Sequence, residues 1–177
     1  MKVKVIGAGL AGCEAAYLLA ERGVEVELYD IKPKSFTPAH SDKNFGELVC
    51  SNSLKSNDVY GNACGLLKEE MRVLGSLTMQ AAEAARVPAG GALAVDRAEF
   101  ARFLTEKIKD CKNIEIVCDE VKTVPEGWCI IATGPLTTSA LSEDILRICG
   151  GQLHFYDASA PIVSKESIDF GKCFFGD

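Results

Sequence analysis

Apolar and polar residues alternate over Lys2–Ile6, and the β-branched Val3, Val5 and Ile6 predict a strand there. From Gly12 to Arg22 the period changes: Cys13, Ala16, Leu19 and Ala20 recur at helical spacing, and Gly23 supplies a C-terminal stop. A second strand is predicted over Val24–Tyr29. Strand, helix and strand in immediate succession form the opening unit of a doubly wound parallel sheet, so the fold class is α/β.

After Asp30 the period is lost as far as Asn57, where the one short apolar run is Leu48–Cys50. Loops of this length are usually functional or disordered. Two helical segments follow: Ala63, Leu66, Leu67, Met71 and Leu74 share one face, Gly75 breaks the run, and Leu77–Ala85 resumes it. Residues 31–96 thus read as one insertion of loop and helices. Val87–Val95 reads as a Pro/Gly loop, after which Asp96 and Glu99 have the spacing of a capping box for a helix with the face Phe100, Phe103, Leu104 and Ile108. Asn113–Cys118, Val121–Val124 and Trp128–Thr133 are strand candidates, the last ended by Gly134-Pro135. Leu141–Cys149 is a short helix stopped by Gly150-Gly151, and Leu153–Val163 is expected to be strand-rich.

Composition narrows the class. The 177 residues are 47% hydrophobic and 25% charged, which suits one globular domain and excludes a disordered or low-complexity chain. A net charge of −6 gives no support to nucleic-acid binding by this segment as a whole. No stretch approaches the roughly 18 uninterrupted apolar residues of a membrane span, so integral insertion is not expected. Met1–Ala20 superficially resembles a signal peptide, but Lys4 and Glu14 fall inside its apolar region, and a cytoplasmic protein is expected. The 8 cysteines include no Cys-x-x-Cys pair, consistent with free thiols. With His40 and His154 the only histidines, no metal-ligand set is evident, and no metal is expected.

The strongest local signal is Gly7-Ala8-Gly9-Leu10-Ala11-Gly12, because it lies between a predicted strand and a predicted helix. Gly7 permits a tight turn, Gly9 lets backbone approach a pyrophosphate, and Gly12 allows close helix packing, while the helix N-terminus offers N–H groups to phosphates. Asp30, at the end of the second strand, is placed to accept hydrogen bonds from ribose hydroxyls, and it would repel a 2′-phosphate. The motif alone leaves NAD and FAD open. Ile130–Gly134 ends a later strand at a small-residue turn, either an ordinary turn or the place where backbone passes beneath a cofactor.

In the long loop, Cys50 sits among Glu47, Ser51, Asn52 and Ser53, a setting in which a thiolate can be stabilised, although most single cysteines are inert small hydrophobes. His40 is a candidate acid or base, with a surface position the commoner outcome. Gly90-Gly91 reads as a connector turn or as main chain laid against a ligand. Lys68, Glu69, Glu70 and Arg72 read as a solvated helix face without chemistry.

Taken in order, GAGLAGCEAA at Gly7–Ala16, TPAH at Thr37–His40, ELVCSNSLKS at Glu47–Ser56, GLLKEEMR at Gly65–Arg72, VPAGGALAVDR at Val87–Arg97, IIATGPLT at Ile130–Thr137 and FYDASAPIV at Phe155–Val163 closely resemble one family. It is the folate- and FAD-dependent tRNA (uracil-5-)-methyltransferase family, TrmFO or Gid. The resemblance implies a Rossmann-like, FAD-binding, doubly wound parallel sheet with a helical and loop insertion, cut short, in which residues 1–177 form a partial FAD-binding domain and about 151–177 begin a substrate domain. It implies an enzyme that takes a methylene group from 5,10-methylenetetrahydrofolate, reduces it with NAD(P)H electrons through FAD, and methylates C5 of the tRNA T-loop uridine. Gly7, Ala8, Gly9, Leu10, Ala11, Gly12, Asp30 and Gly134 match cofactor-binding positions. Cys50 matches the family's reactive cysteine, associated with covalent chemistry at the uracil or at the methylene group.

Three departures bear on this implication. Asp30-Ile31-Lys32-Pro33 stands where the family has Glu-Met-Arg-Pro, shortening the ribose-binding acid and replacing a forked guanidinium with an ammonium. Gly46 replaces an alanine. Family members run to more than twice this length, so an amino-terminal portion, a truncated product or a reduced paralog is expected, with an exposed sheet edge, weak FAD retention and negligible methyl transfer by this chain alone. A non-catalytic nucleotide-binding remnant and a flavin-dependent rRNA uracil methyltransferase are the alternatives.

Overall fold

The computed structural model describes residues 1–151 and 165–173. Lys2–Ile6 forms β1, Leu10–Glu21 α1 and Glu25–Asp30 β2. Ser53–Ser56 forms β3, Ala63–Val73 α2, Leu77–Ala84 α3, Arg86–Val87 β4 and Ala92–Val95 β5. Arg97–Asp110 forms α4, Ile114–Cys118 β6, Cys129–Ile131 β7 and Ser139–Cys149 α5. Four strands pair in the order β6-β2-β1-β7, all parallel, with Val5 opposite Leu28 and Ile130, and Leu28 opposite Ile116. This is the expected α/β, Rossmann-like arrangement.

The alternation of β1 and β2 explains their register. Val3, Val5, Val26 and Leu28 are buried, and Cys13, Ala16 and Ala20 of α1 join them, with small side chains that let the helix lie close to the sheet. Phe100, Leu104 and Ile108 of α4 and Leu77, Ala81 and Ala82 of α3 complete this core. Each buried Leu, Ile or Phe contributes about 1.5–3 kcal/mol relative to exposure.

Several expectations from sequence are corrected. Helix α1 starts at Leu10, two residues before the predicted point. The Pro/Gly loop at Val87–Val95 contains a hairpin: β4 pairs antiparallel with β5 through Gly90-Gly91, and β3 pairs with the other edge of β5, Ser53 opposite Ala94 and Ser56 opposite Ala92. Strand β3 was hidden within the supposedly structureless segment because Ser-Leu-Lys-Ser carries no alternating apolar face; its backbone ladder forms it. Val121–Val124 is not a strand, and its Val124 N–H donates to Asp144 Oδ2 at 2.7 Å. The expected strand at Leu153–Val163 lies outside the described residues.

The excursion after β2 is also better ordered than its composition suggests. Phe45 and Leu48 are buried, and the Phe45 N–H donates to Thr105 Oγ1 at 2.8 Å. Lys32, also buried, donates through Nζ to the Asn44 carbonyl and lies 3.8 Å from Glu47 Oε2. The Glu47 carboxylate accepts from the Ser41 and Asp42 N–H groups. Two apolar anchors and this polar clasp satisfy a segment lacking any periodic pattern.

Asp96 caps α4, accepting from the Glu99 N–H at 3.0 Å. The reciprocal half of the predicted capping box is not made, because the Glu99 carboxylate pairs with Arg102 and the Asp96 N–H donates to the Ala85 carbonyl. Among the described residues no helix is long and apolar enough to cross a membrane.

Candidate functional site

The glycine turn occupies the C-terminal ends of the parallel strands, where α/β sheets place their ligands. Gly7 has a φ of +96°, and a Cβ there would lie 2.7 Å from the Ala132 carbonyl oxygen. A Cβ at Gly12 would lie 1.7 Å from the Gly7 carbonyl oxygen, so this residue is fixed by helix packing. Gly9 differs from both: a Cβ there would meet nothing within 4 Å, because the residue faces open space. The first i-to-i−4 bond of α1 runs from Cys13 N–H to the Gly9 carbonyl at 2.9 Å. The N–H groups of Leu10, Ala11 and Gly12 thus precede the helical ladder, and no side chain caps this end. Such a terminus presents donors and positive dipole to an anion.

Asp30 is tied into the same turn. Its Oδ2 accepts from the Ala8 N–H at 2.7 Å and its Oδ1 from the Lys32 N–H at 2.9 Å. The short side chain clamps the glycine turn to the end of β2, and each oxygen keeps a lone pair for a further donor such as a ribose hydroxyl. The Gly46 N–H donates to the Ala8 carbonyl at 2.9 Å, bringing the long loop over the turn. Gly46 has φ +62°, and a Cβ there would lie 2.4 Å from Leu104 Cδ1, so the glycine matches the local backbone where an alanine would not.

Around this turn is a crevice of about 330 Å³. Gly7–Ala11 and Asp30 line it together with Ala132–Leu136 from the neighbouring strand end, and the loop after β2 adds Lys32, His40, Glu47 and Val49. The stretch through Gly134 therefore borders the crevice, whereas Gly12 is buried beneath the turn and does not line it. Thr138 also lines the crevice, and its buried Oγ1 has no hydrogen-bond partner. An orphaned hydroxyl of this kind leaves about 1–3 kcal/mol to be recovered by a ligand that bonds it. An open glycine, uncapped helix donors, an acid at the strand end and an orphan hydroxyl together fit a dinucleotide.

The remaining candidates are distributed as follows. Val49 lines the crevice, while Cys50, the next residue, is exposed and outside its wall. The polar neighbours expected to support its thiolate act elsewhere: Ser51 Oγ accepts from the Ser53 N–H and Asn52 Nδ2 donates to the Val95 carbonyl. His40 borders the crevice with Nδ1 2.5 Å from Thr37 Oγ1. Cys13 is fully buried, its thiol pushed up to about 12 by desolvation, and its Sγ donates to the Ala8 carbonyl. It is a packing residue. Gly90 and Gly91 are exposed in the β4–β5 connection and do not border the crevice.

Sequence reasoning noted Lys32 only as an ammonium in place of a guanidinium and missed Thr138, whose place in the crevice depends on contacts distant in the chain. It also missed Glu14, whose carboxylate accepts from the Leu77 and Thr78 N–H groups and from the Ser76 and Thr78 hydroxyls, at 2.7 to 3.1 Å. Glu14 thereby joins α1 to the N-terminus of α3. Among the described residues no group of three or more His, Cys, Asp or Glu side chains could hold a metal ion.

Comparison with known proteins adds an independent line. The sequence profile of the family described as glucose inhibited division protein A matches residues 2–177. The methylenetetrahydrofolate–tRNA-(uracil-5-)-methyltransferase TrmFO of Acetivibrio thermocellus is 58% identical over 174 residues, 97% of this chain and 40% of the relative. The protein of the same name from Staphylococcus carnosus is 57% identical, over 97% of this chain and 39% of the relative. The chain therefore spans about 40% of the length of these curated relatives. Among solved structures, Aquifex aeolicus GidA in its form II crystal superposes with a TM-score of 0.56 at 19% identity, over 71% of this chain and 20% of that one, which supports the fold.

Proposed function

Since the chain belongs to the glucose inhibited division protein A family, we propose that it is the nucleotide-binding amino-terminal portion of a folate- and FAD-dependent tRNA (uracil-5-)-methyltransferase acting in the cytoplasm. The observation that carries this reading is the 58% identity to a TrmFO protein over 97% of the chain. In this reading residues 31–96 are an insertion delivering Cys50, and the segment from about 151 onward begins a substrate domain.

The N–H groups of Leu10 and Ala11 would receive the pyrophosphate of FAD, and Gly9 would admit it by having no side chain. Asp30 accepts the adenosine ribose hydroxyls on its remaining lone pairs, and the Thr138 hydroxyl donates into the same crevice. When bound, FAD supplies the reducing equivalents that turn a methylene unit from 5,10-methylenetetrahydrofolate into a methyl group, with NAD(P)H as their source. Cys50 acts as a nucleophile: its thiolate adds to C6 of the uracil, the electron pair of the C5=C6 bond forms the new bond from C5 to the incoming carbon, and loss of the C5 proton then restores the double bond and expels the Cys50 thiolate. Its exposure suits a nucleophile that must meet a macromolecular substrate.

The test uses the complete chain. Cys50→Ala abolishes methylation of an unmodified T-loop RNA while the flavin absorbance of the purified protein is retained. Loss of flavin together with activity would show that Cys50 has a structural role instead. A second reading, a nucleotide-binding remnant without turnover, is favoured by the position of Cys50, which is exposed and outside the crevice wall. For the 177-residue chain alone we expect weak FAD retention and negligible methyl transfer. Robust tRNA methylation by that chain would contradict both the remnant reading and this expectation.

A further inference from the structure

Helix α2 is turned inside out. Leu66, Leu67, Val73 and Leu74 are 49%, 57%, 80% and 74% exposed, and Tyr60 just before the helix is wholly exposed. With Ala63 and Glu70 they form one outward stripe of roughly 120° at 100° per residue. The inward side carries the charges. Lys68 is buried and its Nζ donates to the Leu54 and Cys64 carbonyls at 2.8 and 2.7 Å. Arg72 bonds Asn57, Glu69 and Glu83 at 2.7 to 3.0 Å. Gly65 lies so close to Asp58 that a Cβ would sit 1.9 Å from its carbonyl oxygen. The helix cannot roll its leucines inward without breaking these ties; of the residues read as a solvated face Lys68 and Arg72 turn inward while Glu70 is exposed, and of the shared apolar face Met71 packs on the core.

We propose that this outward stripe is the docking surface for the polypeptide that full-length members of the family carry beyond the portion matched here. The inference rests on family membership and not on the methyl-transfer chemistry. Relatives 57–58% identical to the chain are covered over only 39–40% of their length, so those proteins carry a large further stretch of covalently attached polypeptide. A tethered partner meets the stripe at high effective concentration. A second copy fits poorly: Glu70 lies mid-stripe, in no ion pair among the described residues. Two-fold self-pairing would set two Glu70 carboxylates against each other. The chemistry required of the partner is an apolar ridge with a cationic side chain opposite Glu70.

The test compares the 177-residue chain with a chimera in which residues 1–173 replace the matching portion of the Acetivibrio thermocellus relative. Single variants Leu67→Cys and Val73→Cys are labelled with a maleimide and mapped by mass spectrometry, with Lys109→Cys on α4 reporting the rate at an exposed site. If the chimera is insoluble, the remaining polypeptide is co-expressed as a separate chain and the same rates are read. The proposal predicts rapid labelling of Leu67→Cys and Val73→Cys in the 177-residue chain at every protein concentration. In the longer assembly both slow by roughly tenfold or more, as for a site buried by over 1.4 kcal/mol, while Lys109→Cys is unchanged. Equal rates in the two proteins would overturn it. So would protection that grows with the concentration of the 177-residue chain, since a second copy would then cover the face.

Discussion

Helices α1 and α2 have 12 and 11 residues and each carries an apolar stripe, yet they treat it in opposite ways. α1 lays Cys13, Ala16 and Ala20 on β1 and β2, where Val3, Val5, Val26 and Leu28 offer an apolar surface. α2 buries Gly65 and Lys68 and leaves its leucines in solvent. The difference is one of available partners. The β-α-β connection delivers α1 onto its own sheet. α2 meets the rest of the molecule through Met71, which packs on the core, and through polar ties from Lys68 and Arg72 to Leu54, Asn57 and Glu83. A hydrophobic period locates a stripe, and the rest of the molecule decides what covers it.

The comparison can be broken at its tightest point. Gly12→Val forces a side chain into the Gly7 carbonyl, and we expect a loss of about 3 kcal/mol or more in urea unfolding, enough to leave little folded protein. Next in size is Glu14→Ala, which strips four hydrogen bonds from the start of α3 and is expected to lower stability by about 2–3 kcal/mol, read in the same assay.

On α2 the usual hierarchy is inverted. Lys68→Ala leaves the Leu54 carbonyl without its donor and should cost about 1–2 kcal/mol, whereas Leu67→Glu should stay within about 0.5 kcal/mol in the 177-residue chain. A Leu67→Glu loss larger than that of Lys68→Ala would mean the stripe is already covered.

The remaining effect is seen only at alkaline pH. Burial holds the Cys13 thiol at about 12, above the ordinary 9, so between those values the unfolded chain loses a proton that the folded chain keeps. Stability from this group is complete below pH 9 and falls as pH rises toward 12. Lys68 has the opposite sign: burial lowers its ammonium below the ordinary 10.5, so its contribution rises with pH up to that value. Urea unfolding between about pH 8 and 10.5 should show a shallower alkaline decline in Cys13→Ala and a steeper one in Lys68→Met.

What could be read from sequence was what is local. Gly7, Gly9, Gly12 and Asp30 lie within one β-α-β unit, and their roles in the turn follow from spacing. Thr138 enters the crevice from another element, and Glu14 meets its partners 62 to 64 residues away, so no local pattern encodes them. Strand β3 escaped because Ser53–Ser56 is shaped by its pairing with β5 rather than by propensity. The neighbours of Cys50 misled for a related reason: Ser51 and Asn52 are of the type that stabilises a thiolate, but here they satisfy backbone groups.

The central claim is that the glycine turn opens onto a crevice built for the phosphates of FAD. Its most direct measurement is a calorimetric titration of FAD into the 177-residue chain and its Gly9→Val variant, with thermal unfolding of both in the absence of ligand. The account predicts one saturable site, weakened roughly tenfold or more by Gly9→Val, equivalent to at least 1.4 kcal/mol, with an unchanged unfolding midpoint because the added side chain points into open space. Equal affinity in the two proteins, or no binding by the parent chain, would contradict it.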